Sequence, residues 1–180
     1  MEQTNLFGNY RQDDTIEAEL NNNLTIVNAI IQKKNLDAKP EFFILGGAAM
    51  IFHELNYNAT LDIDTANRIS DDIKEDVALF IDDAASEVTL LGCGYMKRAK
   101  SIRPDLKAIS VKILSKPDLL ITKLYSWRRK DVLAIKTSGL LTKENAEIAK
   151  QILLEEYTGD IQRLLLERLI GFMKVQGLIR

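Results

Sequence analysis

With 180 residues, 46% apolar and 28% charged, the chain has the balance of one ordinary globular domain with room for a small helical appendage. Its net charge of −2 supplies no global positive field to recruit nucleic acid. One cysteine, Cys93, excludes an intramolecular disulfide, and one histidine, His53, excludes a histidine-rich metal site. Residues 1–12 are polar and read as a loose tail, with no basic stretch leading into an apolar one as a secretory signal requires. Asp13, Asp14 and Thr15 suit a helix start. Ile16, Leu20, Leu24, Val27 and Ile31 then recur at three- and four-residue steps, which predicts an amphipathic helix ending near Asn35, before Pro40.

Residues 42–45 form a short apolar strand broken by Gly46-Gly47, and residues 48–55 a short helix with His53 on its surface. The apolar run 42–52 is too short to span a bilayer, so a cytoplasmic protein without a membrane partner is expected. After a turn at 56–59, residues 60–65 alternate as a strand: Leu61 and Ile63 face one side, Thr60, Asp62 and Asp64 the other. Ser70 caps a helix whose apolar face is Ile73, Val77, Phe80, Ile81 and Ala84. Residues 87–91 read as a strand, 95–102 as a strand or irregular, and 106–114 as an alternating strand. Cys93, in Gly-Cys-Gly, is expected to be a buried or half-buried structural thiol.

Lys116-Pro117-Asp118 opens a helix that carries LLITKLYSWRRKDVLAI, and two more helices follow at 142–156 and from Asp160 to about Val175. Short strands among helices predict an α/β or α+β class with mixed strands. The organisation expected is an N-terminal tail and helix (1–38), a core (39–136) and C-terminal helices (137–180) in one compact unit.

Gly46-Gly47, where a strand runs into a helix, lets a phosphate approach backbone N–H groups closely. Asp62 and Asp64 stand at i and i+2, which puts both carboxylates on one strand face, roughly 6–7 Å apart at the backbone. Two carboxylates on a rigid strand suit Mg²⁺ (or Mn²⁺), which takes its other ligands from substrate phosphates and water. The order of glycine pair, helix and paired aspartates therefore points to a nucleoside triphosphate site. Walker A, the dinucleotide fingerprint G-x-G-x-x-G and the G-x-S-x-G elbow are all absent.

GGAAMIFHELNYNATLDIDT resembles the signature of the nucleotidyltransferase fold of the DNA polymerase β superfamily. More narrowly it resembles small prokaryotic nucleotidyltransferase-like families of uncharacterised function related to AbiEii-type toxins. GYMKRAKSI (94–102) is similar to that family's Gly-aromatic-x-x-Arg segment, and DLLITKLYSWRRKDVLAI (118–135) to its DL-x-x-x-KL-x-x-x-R-x-KD helix. The resemblance covers about residues 42–136. It implies transfer of a nucleotidyl group from an NTP to a hydroxyl on RNA, tRNA or protein, with Asp62 and Asp64 on the metals. It implies that Gly46 and Gly47 contact the triphosphate, that Thr60 leads into the aspartate strand and that Lys123 faces the phosphates. It also implies that Arg128 or Arg129, Lys130 and Asp131 form the charged cluster of that helix at the nucleotide site. Lys123 and Lys130, seven apart and so two helical turns, share a face of this helix, with Asp131 close to it. Tyr125 and Trp127 beside this cluster are expected in core packing.

One feature of active members is missing from the sequence. The strand expected to carry a third carboxylate, LKAISVKIL, has none, and neither Asp105 nor Glu87 has a convincing place. The alternative is thus a non-catalytic nucleotidyltransferase-like binding module or toxin–antitoxin member, with the leucine-rich C-terminal helix as its protein-partner face.

Overall fold

The structure, a computed structural model, describes residues 12–55 and 62–180. The first helix, α1 (Gln12–Lys34), runs where the apolar spacing places it, and Leu20, Leu24, Val27 and Ile31 are buried. It leads to β1 (Glu41–Ile44) and α2 (Gly46–Phe52), which begins directly on the glycine pair. Next come β2 (Ile63–Asp64) and α3 (Asp71–Val77), with β3 (Ile81–Asp82) and α4 (Ala84–Val88) close behind. A helical turn, α5 (Tyr95–Arg98), precedes β4 (Lys100–Ile102) and β5 (Ser110–Ile113). Four helices complete the described chain: α6 (Lys116–Ser126), α7 (Arg129–Thr137), α8 (Lys143–Glu156) and α9 (Gly159–Val175). The chain is of mixed helix-and-strand class.

Two small sheets are joined at one point. β1 pairs parallel with β5, and β4 antiparallel with β5. β2 pairs parallel with β3, with Asp64 opposite Asp82. An antiparallel bridge from Ile44 to Thr65 ties β1 to the β2 segment. It is extended by Leu45 N–H donating to Asp64 O (3.0 Å) and Ala66 N–H to Phe43 O (2.7 Å). The strand order across the join is β4-β5-β1-β2-β3. Asn67 continues the edge by side chain, accepting from Phe43 N–H at 2.9 Å and donating to Glu41 O at 2.8 Å. α1 packs against α2 and α3. α6 packs against α7, α8 and α9.

Several expectations are corrected. The helix from Ser70 stops at Val77, and Ile81 and Asp82 form β3 instead. Ile81 buries itself by pairing beside Ile63 rather than by extending the helix face, and Leu79 between them is 90% exposed. The strand expected at 87–91 is helical through Val88. Ala84 N–H donates to the Asp82 carboxylate (2.9 Å) and Ser86 N–H to Asp83 O (2.9 Å), so the two acids start a helical turn. Residues 95–98 are helical before β4 begins. The strand expected over 60–65 is regular only at Ile63–Asp64; Thr60 lies outside the described residues. His53 is half-buried rather than on a helix surface, with Nε2 2.8 Å from Leu114 O. Burial holds its pKa below the usual value, and Lys116 and Lys100 add to this against the Leu114 bond. Cys93 is exposed.

The largest correction concerns residues 116–135. They are not one helix: Trp127 adopts left-handed backbone (φ +52°) and Arg128 is extended, so α6 ends and α7 starts at a new angle. Lys123 and Lys130 therefore stand on different helices and do not share a face of one.

The Gly-aromatic-x-x-Arg segment is a structural staple. Arg98 donates to Asp118 from Nε (3.0 Å) and Nη2 (2.8 Å), and to Glu156 from Nη1 and Nη2. Asp118 is 1% exposed, so a bidentate partner is required there. Gly94 N–H donates to Glu156 at 2.9 Å, and a Cβ at Gly92 or Gly94 would collide with the Glu156 carboxylate. The two glycines thus leave room for the Glu156 carboxylate, and Arg98 joins it at the end of α8 to Asp118 at the start of α6.

Candidate active site

The ends of β1 and β2 open into a cleft of about 900 Å³. Its floor is Leu45, Gly46, Gly47, Asp62 and Asp64. One wall comes from the α6–α7 junction: Thr122, Lys123, Tyr125, Ser126, Arg128, Lys130 and Asp131. Ala84, Ala85 and Val88 of α4, with Thr89 just past its end, also line it. Every site residue expected from sequence within the described residues lines this one cleft. Arg129, the alternative to Arg128, does not.

Gly46 is needed for two independent reasons. Its φ is +69°, a region other residues enter at a cost, and a Cβ there would stand 3.0 Å from Asp64 Oδ2. The glycine therefore admits the Asp64 carboxylate against the first turn of α2. Ile63 points into the core at 1% exposure, while Asp62 and Asp64 on either side of it face the cleft.

Asp82, which does not line the cleft, is an acid beside it that sequence reasoning placed in a helix. It stands in register with Asp64 on the neighbouring strand, so the two side chains leave the sheet on one face about 4.8 Å apart at the backbone. A signal was present: the dipeptide Ile-Asp of β2 recurs at Ile81-Asp82 after one short helix. Helical spacing from Ile73 to Ala84 masked it. Asp105, weighed as a third acid, instead pairs with Arg103 at 2.7 Å.

The electrostatics follow from this crowding. Burial, then the carboxylates of Asp82 and Asp62, push the Asp64 carboxyl above the usual carboxylate range, against the pull of Lys130 and Lys123. A divalent cation would relieve that repulsion. Among the described residues, no three acidic, histidine or cysteine side chains are gathered closely enough to hold a metal ion by themselves. Mg²⁺ bound through one or two carboxylates and otherwise through water and substrate phosphate does not need such a cage, so the donor set fits it.

The break between α6 and α7 builds the wall. By turning the chain at Trp127 it swings Asp131 back onto Lys123, with Nζ donating to Oδ1 at 2.8 Å. The pair is 5% and 0% exposed. Asp131 Oδ2 accepts from Ser126 Oγ and from Arg128 Nε (2.8 Å). Burial alone would raise the Asp131 pKa, but the bonds from Lys123, Ser126 and Arg128 outweigh it and hold the carboxyl below its usual range. Asp131 thus stays ionised and keeps Lys123 aimed along the wall. Lys130 acts on Asp64 from the same wall. Tyr125 lines the cleft, whereas Trp127 is 40% exposed and packs edge-on against Phe172 of α9 (5.6 Å).

Residues 22–164 match the profile of a family described as "Nucleotidyltransferase of unknown function (DUF6036)". No curated protein and no solved structure matches the chain.

Proposed function

This chain belongs to the DUF6036 family of nucleotidyltransferases of unknown function, and from that premise we propose that its cleft moves a nucleotidyl group from an NTP to a hydroxyl acceptor on RNA, tRNA or protein. The observation that carries the reading is the convergence of Gly46, Gly47, Asp62, Asp64, Lys123 and Lys130 on one cleft from four separate segments. Strand, glycine pair, helix and then an aspartate strand antiparallel to the first also support the nucleotidyltransferase fold of the DNA polymerase β superfamily.

In this reading Asp62 and Asp64 hold Mg²⁺, with Asp82 beside them. When bound, the cation neutralises phosphate charge and favours ionisation of the attacking hydroxyl. The protein's own work is positioning and electrostatics. The glycine turn gives the phosphates close access to backbone. Lys123, aimed by its bond to Asp131, offsets charge on the departing pyrophosphate, and Lys130 and Arg128 add positive charge at the rim. Thr60, outside the described residues, keeps its assignment to the lead-in of β2. The apolar side chains of Ala84, Ala85 and Val88, together with the Tyr125 ring in the same cleft, suit a nucleobase.

The direct competitor is a module that binds nucleotide in the same cleft without transferring it, as one member of a toxin–antitoxin pair. Incubation with Mg²⁺, labelled NTPs and total RNA or protein separates the two. Transfer predicts label in the acceptor fraction that vanishes in Asp64→Asn. Binding of Mg²⁺–NTP with no label incorporated from any of the four NTPs supports the module instead.

A further inference from the structure

We infer that Arg168, on α9 and beyond the residues matched by the family profile, is a positioning residue that holds the α6–α7 break in the form that joins Lys123 to Asp131. Its guanidinium makes three contacts at the break. Nη1 donates to Leu124 O (2.6 Å) and Tyr125 O (3.2 Å), carbonyls in the last turn of α6. Such end carbonyls lack helical partners and favour a cation. The guanidinium plane also lies over the Trp127 ring, 4.2 Å from its centroid. Trp127 is the residue in left-handed backbone, a conformation that a non-glycine side chain keeps only when its surroundings enforce it. Phe172, one helical turn along α9, also packs edge-on against the ring at 5.6 Å.

The far end of α9 grips the next helix. Gln176, just past α9, donates from Nε2 to Lys136 O near the end of α7 at 3.1 Å. One helix therefore holds both arms of the break, Arg168 on α6 and Gln176 on α7. Between the arms, Lys123 lies one residue before the first carbonyl bound by Arg168, and Asp131 lies in the first turn of α7. Arg168 does not line the cleft. It sets their separation through the backbone. A planar fork that both donates and stacks is a task lysine cannot perform.

The proposal rests on the nucleotide reading of the cleft, and two readouts keep them separable. The full chain would be prepared as wild type, Arg168→Ala and Arg168→Lys, each checked for cooperative melting. The first readout is Mg²⁺–ATP and Mg²⁺–GTP affinity by calorimetry. The second is acetylation of Lys123 relative to every other lysine, by mass spectrometry, without nucleotide. We expect Arg168→Ala to bind NTP about tenfold more weakly, since one lost cation–π and hydrogen-bond anchor is worth about that factor. Lys123 should label faster while the other lysines do not change, and Arg168→Lys should fall between. Arg168→Ala with wild-type NTP affinity, or with all lysines labelled faster together, overturns the inference. Wild type that binds no NTP sinks the nucleotide reading and the affinity claim, and Lys123 labelling then decides alone whether Arg168 holds the pair. Should Arg168→Ala fail to fold, the comparison runs on Arg168→Lys, and its failure to weaken NTP binding counts against the proposal.

Discussion

At the scale of single residues the site depends on close approach. Gly46 pays no penalty for its positive φ and leaves space for the Asp64 carboxylate. Gly46→Ala should cost about 1–2 kcal/mol of stability, the cost of forcing a Cβ into left-handed backbone. It should also weaken Mg²⁺–NTP binding through Asp64, as calorimetric melting and titration on the same sample will check. These residues were legible in the sequence because Gly46, Gly47, Asp62 and Asp64 lie within 19 positions and on adjoining elements. Asp82 was not legible, because Ile73, Val77, Ile81 and Ala84 fit helical spacing as well as they fit a helix followed by a strand. Only pairing with β2 decides between the two, and pairing is not a local property. The buried pair makes a separate prediction. Lys123→Met leaves Asp131 at 0% exposure with Ser126 and Arg128 but without its ammonium partner. Destabilisation of about 3–5 kcal/mol is expected from breaking such a pair on one side. Lys123→Met with Asp131→Leu should recover part of that loss in denaturant titrations while NTP binding stays lost.

At the scale of elements, the break after Ser126 matters most. Residues 118–135 read as continuous helix because Trp127, Arg128 and Arg129 include neither glycine nor proline. The signal for the break lies on α9, where Arg168 and Phe172, 41 and 45 residues after Trp127, pack against the indole. The functional pairing of Lys123 with Asp131 was expected, but for a reason that the break removes. The staple at Arg98 gives a pH prediction. Arg98 holds the Glu156 carboxyl below its usual range, through its hydrogen bonds first and with help from the Gly94 N–H, against the cost of burial. A depressed folded pKa means the stabilisation is complete above the unfolded value, about 4.3 for glutamate, and is lost as pH falls through the folded value below it. Glu156→Gln should therefore lower Tm at pH 7. Between about pH 4.5 and pH 3 its Tm should fall less steeply than that of wild type, by calorimetry across that range.

At the scale of the whole molecule, the mixed class and the long helices α1, α8 and α9 were readable from apolar periodicity, since each has a clear stripe and a start signal. The short elements α4, α5 and β3 were not, because with two to five residues they have no period to read and owe their form to neighbours. Among the described residues no helix is long and apolar enough to cross a membrane. What the whole fold adds is enclosure: the sheet ends present the carboxylates, and the α6–α7 junction, gripped by Arg168 and Gln176, lines the same cleft as α4. Thermal melting of wild type, Asp62→Ala and Asp82→Asn with saturating Mg²⁺ and each NTP tests that account most directly. With ligand at about 100 times Kd the wild type should gain about 5–10 °C with at least one NTP, and only when Mg²⁺ is present. Asp62→Ala should gain nothing and Asp82→Asn less than wild type. A wild type whose Tm does not move with any Mg²⁺–NTP, or an Asp62→Ala that gains as much as wild type, would contradict it.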